Sequence, residues 1–196
     1  MIVTADEVNR SFRGAVDLLN SRVEGLKAFD MSEHGFWRSF AAILLTLPAY
    51  VVSIAFERLR LGLIQPDRTL LDSFWIDLVV ALGHLAGFIA LPVAMIWIAR
   101  AFRLTDRYVP FVIVTNWITV LGLLVLSVPA MLLLLGWATP ALASLFGLSF
   151  SIIVLRLQWF ATKATLGVPG LAAFAVVLLG LVLNSFVGTI MRGLLG

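Results

Sequence analysis

From Tyr108 to Leu155 the chain runs 48 residues without one charged side chain. As a single helix that stretch would be about 72 Å long, more than twice a hydrocarbon core of about 30 Å. It therefore crosses a bilayer and returns. Hydrophobic residues make up 61% of the 196-residue chain and charged ones 13%, against about 25% charged for a soluble domain. A soluble fold is excluded. The class expected is an all-α polytopic bundle, with no room for a second globular domain.

Five apolar segments can be drawn: about Arg38 to Phe56, Phe74 to Ala99, Pro110 to Leu135, Pro140 to Phe160 and Pro169 to Met191. Pro110, Pro140 and Pro169 each stand where a first helical residue would, and there a missing N–H costs nothing. The stretch from Gly136 to Pro140 is the one convincing turn in the charge-free run. Thr139 is placed to cap the fourth span, so spans three and four should form a tight hairpin. Residues 1–35 then read as a cytoplasmic helix and hinge, and residues 36–196 as the bundle.

The distribution of cations sets the expected orientation. Ten fall on the side of the N-terminus (Arg10, Arg13, Arg22, Lys27, Arg38, Arg100, Arg103, Arg107, Arg156 and Lys163) and four on the other (Arg58, Arg60, Arg68 and Arg192). The rule that cations stay inside favours a cytoplasmic N-terminus and a periplasmic C-terminus. The first 35 residues carry no apolar stretch of the kind a secretory signal requires, which fits a bacterial inner membrane. Trp37, Trp75, Trp137 and Trp159 lie near span ends, as interfacial aromatics do.

Ahead of the membrane, Thr4 and Glu7 make a capping-box pattern, and Val8, Phe12, Ala15, Leu19, Val23 and Leu26 recur at helical spacing. One amphipathic helix from about Ala5 to Ala28 is expected. Its stripe, chiefly Val8, Phe12, Leu19, Val23 and Leu26, needs a cover: the membrane interface, the bundle's own face or a protein partner. Acids and bases balance along it, so attraction to anionic lipid through this helix should be weak.

Ionisable groups at membrane depth are costly and become functional candidates. His84 falls near the middle of span two, and Asp77 shares its face one heptad earlier. Arg156 and Asn116 fall in the inner parts of spans four and three, and Asn184 in the outer part of span five. These five residues outline a polar path with His84 as a titratable relay. The alternative is that each makes an isolated interhelical hydrogen bond or snorkels to an interface. Pro48, Pro92 and Pro129 fall inside spans, as hinges or as ordinary kinks. Small residues at four-residue spacing, Gly83 with Gly87 and Gly180 with Asn184 and Gly188, allow close helix approach.

Several chemistries lack their residues. With no cysteine there is no thiolate nucleophile and no Cys-ligated metal, and no metal or cofactor is expected. Gly147, Leu148, Ser149 and Phe150 lack the second glycine of a nucleophile turn, and Gly83 to Gly87 is not a zinc-protease helix. Neither an enzymatic role nor nucleic-acid binding is expected, since the net charge of +3 comes with no basic cluster.

The five-span order, the cytoplasmic N-terminal segment and the Tyr108, Val109, Pro110 lead-in after a short basic loop resemble the Yip family, the Ypt/Rab-interacting membrane proteins and their bacterial relatives. Around Gly35, Phe36, Trp37, Arg38, Ser39 and Phe40 the chain is also similar to small bacterial membrane proteins sometimes labelled transporters. The resemblance covers residues 36–191 and lacks the polar aromatic signature of eukaryotic Yip proteins, so no functional residue is carried over. It implies a non-enzymatic bundle acting in membrane organisation through lipid, a protein partner or a homo-oligomer. The competing expectation is a small oligomeric transporter or channel subunit with a route through His84, Asn116, Arg156 and Asn184.

Overall fold

The computed structural model describes residues 3–60 and 70–195. In order along the chain are α1 (Ala5–Leu19), a 3-10 turn (Val23–Ala28), α2 (Glu33–Ala41), a second 3-10 segment (Ala42–Thr46), α3 (Leu47–Arg60), α4 (Leu70–Ala101), α5 (Thr105–Leu134), α6 (Pro140–Leu166) and α7 (Gly170–Leu195). Five segments are long and apolar enough to cross a membrane: Glu33–Phe56, Phe74–Ala101, Thr105–Leu134, Pro140–Leu166 and Gly170–Leu194. The protein is an all-α bundle of the polytopic class. Arg68, counted among the far-side cations, lies outside the described residues.

α5 is apolar around its whole circumference, as a central helix must be. It touches α2, α3, α4 and α6, and Phe111, Val112, Ile113, Val114, Trp117, Ile118 and Val120 are all buried along it. α7 bridges α4 and α6, so α4, α5, α6 and α7 close a four-membered ring with α2 and α3 outside it. The contact of α4 with α7 is made by the small residues: a Cβ on Gly83 would meet Met191 at 2.9 Å, and one on Gly180 would meet Leu91 at 3.3 Å. Indole N–H groups tie the ends, from Trp75 to the Leu194 carbonyl at 3.2 Å and from Trp159 to the Gly170 carbonyl at 2.9 Å.

The hairpin of α5 and α6 forms where the charge-free run has its turn. Thr139 Oγ1 accepts from the Leu142 N–H at 3.3 Å, Pro140 opens α6, and Gly136 takes the left-handed conformation at φ 72°. Pro110 differs from expectation. α5 begins at Thr105, because Asp106 and Arg107 extend the helix beyond the apolar part, and Pro110 stands inside it. Pro169 likewise precedes α7, which starts at Gly170. Span one is also not one continuous helix. The segment Ala42–Thr46 tightens to 3-10 geometry just ahead of Pro48, whose ring cannot accept a full α-helical turn before it.

The single N-terminal helix expected from Ala5 to Ala28 is two pieces. α1 ends at Leu19, Ser21 turns left-handed at φ 61°, and the Val23–Ala28 turn folds back along α1. Two glycines permit this, since a Cβ on Gly14 would stand 2.7 Å from the Gly25 carbonyl oxygen and one on Gly25 would stand 2.5 Å from that of Gly14. Periodicity across the break continued by coincidence, because both arms present residues to the same core.

Candidate functional site

The face of α1 turned to the bundle carries Glu7, Ser11, Gly14, Ala15 and Leu18, all buried. Thr4 Oγ1 caps the Glu7 N–H at 3.3 Å, but the Glu7 carboxylate does not reach back to close the box. It turns inward instead, its Oε2 3.3 Å from Arg38 Nε, and Arg38 also pairs with Asp30. The Glu7 to Arg38 contact is charge to charge, without hydrogen-bond alignment at either atom. The expected docking stripe is divided. Val8, Leu19 and Leu26 pack against the bundle core, whereas Phe12 and Val23 stay 46% and 51% exposed.

The polar candidates separate in the same way. Asn116, fully buried, donates from Nδ2 to Ser39 Oγ at 3.0 Å and so joins α5 to α2. Arg156 is on the surface and donates to Ser21 Oγ at 3.2 Å, which ties α6 to the N-terminal turn. Asp77 takes two bonds from Arg58 Nη2 at 2.7 and 2.9 Å. None of these three lines a cavity described below.

His84 and Asn184 do come together. Both stand on the wall of a cavity of about 310 Å³ between α3, α4, α5 and α7, with Ser53 and Thr119 as further polar groups and exposed Arg192 at one end. The His84 imidazole meets the Tyr50 ring edge-on at 5.5 Å, and the Tyr50 hydroxyl donates to the Asp77 carbonyl at 2.8 Å. His84 Nε2 is buried and has no hydrogen-bond partner. Asn184 is braced by its Nδ2 donating to the Gly180 carbonyl at 3.0 Å.

A second cavity of about 240 Å³ lies inside the ring of α4 to α7, with Thr115, Thr119, Gln158, Thr162 and Asn184 on its wall. Gly87, Phe88, Thr119, Leu123 and Asn184 line both, so the two chambers share a partition near the middle of the bundle. Thr115, Thr119, Gln158 and Thr162 are not among the polar residues that the sequence reading singles out. Their signal was there: two i, i+4 polar pairs on otherwise apolar helices place both members of each pair on one face.

No protein-family model, curated protein or solved structure matches this chain.

Apart from Arg192 at one end of the first, the chambers offer uncharged hydroxyls, amides and the His84 imidazole. Among the described residues their walls carry no carboxylate, and no group of three or more His, Asp or Glu side chains is placed to hold a metal ion. Ser149 and Ser151 face neither chamber; their hydroxyls donate to the Leu145 and Gly147 carbonyls of their own helix at 2.9 and 2.7 Å. Such walls suit a small uncharged solute better than an ion, because a desolvated ion would find no compensating charge at midplane.

Proposed function

We propose that the chain is a small transport or channel subunit that passes an uncharged hydrogen-bonding solute through its two chambers, without chemistry of its own. The observation that carries the reading is Asn184. It stands on the wall of both cavities, with the unpartnered His84 Nε2 beside the first. Asn184 and Gly87 form the partition a solute must pass. The orientation that accompanies this reading is a cytoplasmic N-terminus in a bacterial inner membrane, supported by ten cations against four.

The test is flux in proteoliposomes made with the full chain. Glycerol and urea should equilibrate faster than in empty vesicles, sodium and chloride should not, and Asn184→Leu should remove the difference. Neutral-solute permeability equal to that of empty vesicles would overturn the reading.

A second, Yip-like reading rests on Phe12, Val16 and Val23, which the N-terminal hairpin leaves exposed. They would serve as a contact patch for a protein partner or a second copy. Phe12→Asp would then lower co-purification of that partner while leaving solute flux unchanged.

A further inference from the structure

The connection between α4 and α5 places an arginine where the backbone favours glycine. α4 closes in a Schellman turn, with the Leu104 N–H donating to the Ala99 carbonyl at 2.7 Å and the Arg103 N–H to that of Arg100 at 3.4 Å. The left-handed residue of the turn is Arg103, at φ 57°. The helix ends after α5 and α6 solve the same problem with Gly136 and Gly167, at φ 72° and 65°. A glycine at 103 would relieve left-handed strain that the arginine retains.

Beside this turn lies a cavity of about 510 Å³ between the end of α4, the start of α7 and the two connections next to them. Its walls include Ile98, Phe102, Leu104, Leu166, Val176 and Leu179, and every residue of the lining is apolar. Phe102, 72% exposed, and Leu104 flank Arg103 directly in the chain. Arg100, Arg107 and Lys163 are exposed at the same end of the bundle. Among the described residues no carboxylate lies within 4 Å of any of these four cations.

An apolar groove whose wall residues Phe102 and Leu104 flank Arg103 in the chain, at an end of the bundle where Arg100, Arg107 and Lys163 are also exposed, matches one kind of molecule. We infer that it holds an anionic phospholipid of the surrounding bilayer, with one acyl chain along Ile98, Leu166 and Val176 and the phosphate at Arg103. An extended peptide fits poorly, because its backbone N–H and C=O groups would meet no partner on these walls. A zwitterionic lipid would leave the cations without net compensation. The inference is independent of the solute reading.

The experiment uses the full chain in nanodiscs of phosphatidylcholine alone or with phosphatidylglycerol. Thermal unfolding is measured in each, and the lipids retained after mild detergent are counted by native mass spectrometry. The wild type should keep one phosphatidylglycerol per chain and unfold at higher temperature when that lipid is present. Arg103→Gly should move the two readouts apart. In pure phosphatidylcholine it should unfold at higher temperature than the wild type, because the left-handed strain is gone, while phosphatidylglycerol retention falls about fivefold. Ala172→Phe, at an exposed groove position, should lose retention with all four cations in place. Wild-type retention by Arg103→Gly would make the arginine a turn residue only, and wild-type retention by Ala172→Phe would make the binding a diffuse surface effect. Either result overturns the proposal.

Discussion

Asn184 closes directly against Gly87: a Cβ added to the glycine would stand 2.6 Å from Asn184 Oδ1. α4 and α7 can carry a shared chamber wall only because α4 has no side chain at this position. Gly87→Ala should push the amide out of its bond to the Gly180 carbonyl and block the partition. Neutral-solute flux should fall at least about tenfold, with a stability loss of about 1–3 kcal/mol from overpacking. Paired flux and thermal-melt measurements check both parts, and an unchanged flux would show that the partition is not on the route.

His84 offers a cleaner separation of fold from function. Phenylalanine keeps a ring against Tyr50 and removes only the polar atoms, one of which has no partner to lose. His84→Phe should therefore accumulate in membranes and melt within about 1 kcal/mol of the wild type, yet pass solute poorly. Failure to accumulate would make His84 a packing residue.

The same comparison shows what the sequence made legible. The α5–α6 hairpin was readable because its cause is local: a charge-free run too long for one crossing, and a Thr139–Pro140 cap that acts within three residues. The break in the N-terminal helix is not legible in the periodicity because its cause is not local. Gly14 and Gly25 look unremarkable eleven positions apart until each backbone is seen to need the other's missing side chain. The chambers were half legible. His84 and Asn184 stand out because strongly polar atoms in an apolar span are conspicuous, while threonines such as Thr115, Thr119 and Thr162 do not, because a hydroxyl can bond to its own helix's carbonyls. Asn116 and Arg156 stand out equally, and the structure gives them instead a bond between helices to Ser39 and one to Ser21 in the N-terminal turn.

Glu7 and Arg38 hold the N-terminal hairpin to span one across a contact that is 3% exposed on the glutamate side. Removing Arg38 strands the buried Glu7 carboxylate, whereas removing Glu7 leaves Arg38 its pair with Asp30 and replacing both by apolar groups strands neither. Arg38→Met alone should cost about 3 kcal/mol and speed tryptic cleavage at Arg22 and Lys27. Glu7→Leu combined with Arg38→Met should restore cleavage close to the wild-type rate. A double variant as labile as the single one would mean that the hairpin depends on Arg38 through Asp30 alone.

On the apolar side of that hairpin, Leu18 is fully buried and Phe12 is not. Leu18→Asp should detach the hairpin, because it places a carboxylate in the apolar core that also holds Ile118 and Leu157. Phe12→Asp should leave cleavage unchanged. Equal protection of both variants would contradict the way α1 is seated.

The hinge supplies a pH dependence of definite sign. Bonds from the Ser32 hydroxyl and N–H hold the Asp30 carboxyl below its ordinary value of 3.8, with the Arg38 guanidinium adding to the effect. A carboxylate whose value is lowered in the folded state contributes stability that is fully present above its unfolded value and is lost as pH falls through the folded one. The hairpin should thus stay seated at neutral and mildly acid pH and loosen only below about pH 4. Asp30→Asn removes the titrating group while keeping an acceptor for the Ser32 N–H. Its protection from an acid-stable protease should be lower than wild type above pH 4 and nearly flat below it, where the wild-type curve falls to meet it. Parallel curves at all pH values would mean that the acid sensitivity of the hinge does not arise from Asp30.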